Sequence, residues 1–182
     1  MKDPSKYAAE REIASEVLLQ TSAIVTPLLS TFSAWLMAGL GAAFTLLVAN
    51  IDSITKYVPA HNFRWALLWF SASLLAGLAA RFFSVVVSAS LTSNALFSER
   101  LPKAILAAPS FSLPAFKRFY FSGLFLPYKC VAKSTFAKVQ RGDFMASQRL
   151  TAKASQLQSI LVLLQIVCST ASTLALASGI KV

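Results

Sequence analysis

Acidic side chains are scarce in this sequence: seven Asp and Glu in 182 residues, against 17 Lys and Arg, with a single histidine. General acid–base chemistry needs carboxylates or imidazoles brought together. Here four acids lie in the first sixteen residues, and Asp52, Glu99 and Asp143 are far apart. His61 has no cysteine or carboxylate cluster around it, which argues against a metal site. It reads as a solvated loop residue, with pH sensing as the sharper alternative. Two cysteines give neither a disulfide framework nor a zinc site. Six glycines supply no phosphate-cradling loop, and the Gly-x-Ser-x-Gly and His-Glu-x-x-His patterns are absent. None of Asn50, Asn62 and Asn94 opens a glycosylation sequon. The expectation is a protein that is not an enzyme and holds no cofactor and no metal.

Charge of either sign is also sparse. Charged residues make up 13% of the chain and hydrophobic ones 56%, with 14 Phe, where soluble domains carry about 25% and 45–50%. Mean hydropathy is +0.63. A soluble fold and a disordered chain are both excluded on these grounds. No internal repeat of fixed period is visible.

What is present is long apolar runs. No charge occurs between Val17 and Ile51, and a helix crossing a hydrocarbon core needs about 20 residues. The sequence predicts a first span at 23–49, too long for a signal-peptide core, with Pro27 near its start as a place for a kink or break. Residues 1–22 read as an amphipathic N-terminal helix on the membrane surface. Asp3-Pro4 is its cap, and Tyr7, Ala14, Val17 and Leu18 share a face. Residues 50–64 form a short polar connection, where Asp52 and Lys56 have pairing spacing and Pro59 ends the turn. Tyr57, Trp65 and Trp69 mark the membrane–water boundary.

A second span is predicted at 65–90. It carries one charge, Arg81, read as an arginine reaching the headgroups from near the span's far end, with a buried, paired arginine as the alternative. A third is predicted at 154–180, continuous with the polar stretch from Phe144, so that one helix of about 35 residues and about 52 Å projects beyond the membrane.

Residues 91–153 differ. They hold Arg100, Lys103, Lys117, Arg118, Lys129, Lys133, Lys138, Arg141, Arg149 and Lys153 against only Glu99 and Asp143. Pro102, Pro109, Pro114 and Pro127 are expected to break the first half, and Gly142-Asp143 to stop one helix and cap the next. The uncharged stretches 104–116 and 119–128 are too short to span. Interleaved aromatic and basic residues suit a lipid interface. Anionic-lipid contact is therefore expected at Arg81, Lys117, Arg118, Lys129 and Lys133, and nucleic acid, the other partner of basic aromatic segments, is disfavoured. Cys130 reads as a small apolar residue, with acylation as a weak alternative, and Cys168 as a span residue.

The fold class expected is an all-α integral membrane protein. It has about three transmembrane helices, an amphipathic N-terminal helix, and a basic helical cytoplasmic region between spans 2 and 3. With three spans, the tail and residues 91–153 share a side and carry most of the basic residues. The positive-inside rule then makes that side cytoplasmic, in a bacterial inner (plasma) membrane. Small residues mark close helix contacts in lipid. Ser30, Ala34, Ala38, Gly41 and Thr45 make one stripe, and Ser73, Gly77, Ala80, Ser84 and Ser88 another. Gln165, Ser169, Thr170, Ser172 and Thr173 can bond across helices or back to their own carbonyls. Gln165 is also the candidate glue of a homo-oligomer; another membrane protein is the other candidate partner. The function expected is scaffolding, recruiting or regulating a partner at the cytoplasmic face, the alternative being an oligomeric pore-forming or permeabilising protein.

Overall fold

The computed structural model describes residues 8–54, 56–107, 112–124, 126, 128–141, 143 and 145–180. The Asp3-Pro4 cap, Tyr7, Pro109, Pro127, Gly142, Phe144 and Lys181 lie outside the described residues. The elements are all helices: α1 (Ala8–Ala49), α2 (Ile51–Ile54), α3 (Ala60–Ala107), α4 (Leu113–Ser122), α5 (Tyr128–Gln140) and α6 (Ala146–Ala177). Among the described residues, three stretches are long and apolar enough to cross a membrane: Glu16–Ala49, Ala60–Ala95 and Ala146–Ala177. Each exceeds the roughly 20 residues that a span requires.

Helices are longer than local sequence signals suggest. α1 runs through Pro27 without a break. Proline removes one intrahelical bond, but in lipid the helix is the only state that satisfies the remaining backbone, so it continues. α3 likewise continues through position 102 to Ala107. It starts within the 50–64 connection, where Phe63 N donates to the Pro59 carbonyl, so Pro59 opens this helix. The polar stretch before the third apolar run does join it in one helix, α6, of 32 residues and about 48 Å.

The chain divides into two compact units, Ala23–Val87 with Lys153–Val182, and Met1–Ser22 with Ser88–Ala152. In the first, side-chain pairings set the helix directions. Thr26 and Ser33 of α1 meet Ser155 and Gln165 of α6 in the same order, so these helices run parallel. Ser73 and Ala66 of α3 meet Ser169 and Ser172 in reverse order, so α3 is antiparallel to α6. Phe44 of α1 stacks on Phe70 of α3 with ring centroids 4.0 Å apart.

This bundle is inverted relative to a soluble one. Gln158 and Gln165 are 0% exposed, while Trp35 is 75% and Leu75 67% exposed. In water such a surface would forfeit about 25 cal/mol per Å² of apolar area. Against lipid tails that penalty vanishes, and the groups needing partners are the polar ones, which turn inward. Hydroxyls on the outer faces return to their own helix: Thr45 to the Gly41 carbonyl, Ser71 to Leu67, and Thr170 to Ile166.

In the other unit, α4 and α5 meet through rings. Phe136 of α5 lies 5.8 Å from Tyr120 and 5.4 Å from Phe121, and Phe116 stacks on Tyr120 at 5.8 Å. Pro114 sits in the first turn of α4, where no N–H bond is lost. The Gly123 N–H closes that helix on the Phe119 carbonyl. Ser147 of α6 donates to Asn94 Oδ1 of α3 at 3.0 Å, and Arg149 reaches Asp143 at 2.8 Å in an exposed pair. Exposed pairs of this kind contribute about 0–1 kcal/mol.

Candidate functional site

α6 carries its buried residues at a regular spacing. Thr151, Ser155, Gln158, Val162, Gln165, Ser169 and Ser172 are all buried, at steps of four, three, four, three, four and three. A 3.5-residue repeat keeps one seam of a helix against its neighbours, as in left-handed helix pairs. Six of the seven positions are polar. α3 repeats the period with Ala66, Ser73, Gly77, Ala80, Ser84 and Val87, all buried.

The central contact is built around Gln165. Ser33 Oγ donates to its Oε1 at 2.6 Å, and its Nε2 donates to the Ser33 carbonyl at 3.3 Å. The Gln165 carbonyl accepts Ser169 Oγ at 2.7 Å. Ser73 Oγ lies 2.8 Å from Ser169 Oγ and 3.3 Å from that same carbonyl. One residue thus ties α6 to both other helices. Gly77 makes the approach possible: a Cβ there would lie 2.7 Å from Met37 Sδ and 2.9 Å from Gln165 Nε2.

Similar contacts continue along the seam. Gln158 Nε2 donates to the Thr26 carbonyl at 3.1 Å, and Thr26 Oγ1 lies 3.4 Å from Ser155 Oγ. Gln158 Oε1 is buried with no hydrogen-bond partner among the described residues. Ser172 Oγ donates to the Ala66 carbonyl at 2.8 Å. Asn62 Nδ2 reaches the Ala175 carbonyl at 3.0 Å and Ser178 Oγ at 3.1 Å. Asn62 thereby satisfies one of the carbonyls that any helix leaves open at its C-terminal end.

The small-residue stripes fall unequally. Ser73, Gly77, Ala80 and Ser84 are buried together on α3, and Ser88 is exposed. On α1, Ser30, Ala34 and Gly41 are half-buried and Ala38 is exposed, and nothing lies within 4 Å of a Cβ built on Gly41. α1 instead buries Ser22, Thr26, Ser33 and Phe44. Small size permits approach, but donor and acceptor demand from Gln158 and Gln165 selects Thr26 and Ser33. Thr170 and Thr173 bond back to their own helix. Thr26, Ser33, Gln158 and Asn62 stand outside the small-residue stripes and are functional through their hydrogen bonds; the polar 3.5-residue period of α6 is the sequence signal that points to them.

The basic residues also sort. Arg81 is exposed on α3, outside the buried seam. On α4 and α5, Arg118 and Lys133 are exposed and Lys117 and Lys129 half-buried. The Lys117 ammonium lies 5.9 Å from the Phe136 ring centroid, where the ring face favours a cation. Burial among these rings raises the Tyr120 phenol above its ordinary pKa. Cys130 is exposed and Cys168 buried. His61 is exposed and meets Trp65 edge to face at 6.1 Å. Among the described residues no three His, Cys, Asp or Glu side chains gather as a metal site would require. The chain matches no protein-family model, no curated protein and no solved structure.

Proposed function

We propose that this is a non-enzymatic integral membrane protein that scaffolds, recruits or regulates a partner at the cytoplasmic face of a bacterial inner membrane. The observation that carries this reading is the helix order in the bundle. α3 and α6 are antiparallel, so the chain returns at Lys153 to the end of the bundle it left at Val87. The intervening 65 residues hold most of the basic side chains, and the positive-inside rule assigns that end to the cytoplasm. α1 is parallel to α6, so it enters the bundle at Ala23 from that same end, and its first turns precede that point in the same helix. They carry Ile13 and Val17, both exposed, as a face for a partner helix.

The pore alternative draws on the small-residue stripes and on the Gln165 amide as the glue of a homo-oligomer. That amide is instead engaged by Ser33 within one chain, which draws support away from that reading. Photo-crosslinkers at Ile13 and Val17 in native membranes test the scaffold. Capture of a discrete protein is expected, and no adduct at either position sinks the proposal. Labelling of Cys130 from outside intact cells, with Cys168 replaced, would reverse the assigned sidedness. Ion leak from liposomes containing this protein alone would favour the pore.

A further inference from the structure

We infer that the α4–α5 hairpin is a lipid-docking element that inserts apolar tips into an anionic leaflet. Between Leu113 and Arg141 the sequence has six Lys and Arg and no Asp or Glu. The structure separates these cations by what they touch. Lys117 is turned toward the Phe136 ring, inside the hairpin. Arg118, the next residue along α4, is exposed beside Phe119, which is 74% exposed. Leu126, just past the Gly123 closure, is 75% exposed. Lys133 and Lys138 of α5, and Arg141 just past its end, are exposed, and neither helix carries a counter-charge.

The hairpin has aromatic material to spare, yet it half-buries Phe116, Tyr120, Phe121 and Phe136 against one another and leaves Phe119 out. An exposed ring next to an arginine, on a helix with uncompensated positive charge, matches a surface bearing phosphates above an apolar layer. An acidic protein would satisfy the cations but not Phe119 and Leu126 as protruding tips. Nucleic acid could stack on Phe119 but offers an aliphatic Leu126 nothing. The occupant is therefore a bilayer with anionic headgroups. The inference shares with the scaffold reading only the membrane-spanning helices; it needs neither a partner nor a particular sidedness.

The test uses the full chain with Cys168→Ser, an environment-sensitive fluorophore on Cys130, and reconstitution into vesicles of phosphatidylcholine alone or mixed with phosphatidylglycerol. In the mixed vesicles the emission should shift to the blue and be quenched by nitroxide-labelled acyl chains, and high salt should reverse both. Arg118→Ala should lower the ratio of docked to undocked hairpin roughly fivefold. Phe119→Ala with Leu126→Ala should remove acyl-chain quenching while all charges remain. Circular dichroism and the detergent-unfolding midpoint establish that each variant keeps the bundle. Equal emission in the two vesicle types overturns the inference. So does quenching that survives loss of both tips, or a blue shift produced in phosphatidylcholine vesicles by a single-stranded oligonucleotide and not by phosphatidylglycerol. None of these outcomes bears on partner capture by α1, so the two proposals fail separately.

Discussion

The Gln165 amide closes on one residue twice: Ser33 gives its hydroxyl hydrogen to Oε1, and its carbonyl receives the Nε2 hydrogen. A single side chain on α6 thereby reads both the side chain and the backbone of α1. Interhelical hydrogen bonds in membranes average about 0.6 kcal/mol and reach about 1.7. Gln165→Leu, which loses both, should destabilise the bundle by about 1–2 kcal/mol in detergent unfolding. Because the amide is engaged within one chain, the mass of the protein–detergent particle should not change. A smaller particle would return Gln165 to the role of oligomer glue.

Gln158 provides the contrast. It makes one interhelical bond, to the Thr26 carbonyl, and its Oε1 is buried without a partner. The buried, unpartnered Oε1 carries a desolvation cost that an apolar side chain of similar volume removes, which offsets the loss of the one bond. Gln158→Met should therefore change the unfolding midpoint much less than Gln165→Leu. Equal losses at the two positions would contradict this account of the seam.

The glycines separate by the same logic. Gly77→Ala drives a methyl group into Gln165 Nε2 and Met37 Sδ. Met37 can swing away, but Gln165 is held by Ser33, so a loss of about 1–3 kcal/mol is expected, the range for overpacking. At Gly39 and Gly41 an added Cβ meets nothing within 4 Å, and alanine there should be neutral or slightly stabilising, as in any helix interior. Thermal melts of the three variants side by side check the ranking.

Gly179 and Asn62 make a second close pair. A Cβ on Gly179 would lie 2.9 Å from Asn62 Cβ, Cγ and Nδ2, and Asn62 is the donor to the Ala175 carbonyl. Gly179→Ala should break that cap and raise amide hydrogen exchange in the last turn of α6, leaving the Gln165 region protected. Asn62→Asp, which sets an acceptor against a carbonyl, should give the same local signature. Loss of protection along all of α6 would argue against a local role.

Tyr120 carries a pH dependence. Burial raises its pKa in the folded hairpin, so the folded state holds the phenolic proton more tightly than the unfolded state does. Its contribution is complete below the ordinary tyrosine value of about 10 and is lost as pH rises through the folded value. Difference absorbance at 295 nm between the parent and Tyr120→Phe should show this group titrating later than an ordinary tyrosine. Titration at or below pH 10 would mean that Tyr120 is not buried among the rings.

The three spans are legible because an apolar run of adequate length with at most one charge has one stable solution in lipid. The α3 stripe is legible because Ser73, Gly77, Ala80 and Ser84 are both small and in period. The α1 contacts are not: the small residues from Ser30 to Gly41 are in period, but the seam is at Thr26 and Ser33, since size can be read from one helix while a hydrogen-bond partner belongs to another. Phe44 could not be found by looking for small residues, because its place is set by stacking on Phe70. Proline is a poor guide to helix ends here: α1 continues through Pro27 and α3 through position 102. In α1 the absence of water outweighs the one bond that Pro27 removes.

The polar seam of α6 also bears on the order of assembly. Thr26 and Ser33 on α1, and Ala66 and Ser73 on α3, find partners on the same helix, and that helix is the last of the three to be synthesised. Until it arrives, α1 and α3 share the Phe44–Phe70 stack and the Met37–Gly77 contact, with their seam hydroxyls limited to their own carbonyls. Completion of the bundle therefore waits on translation, and the earlier pair must stay laterally open in the bilayer on the side α6 will occupy.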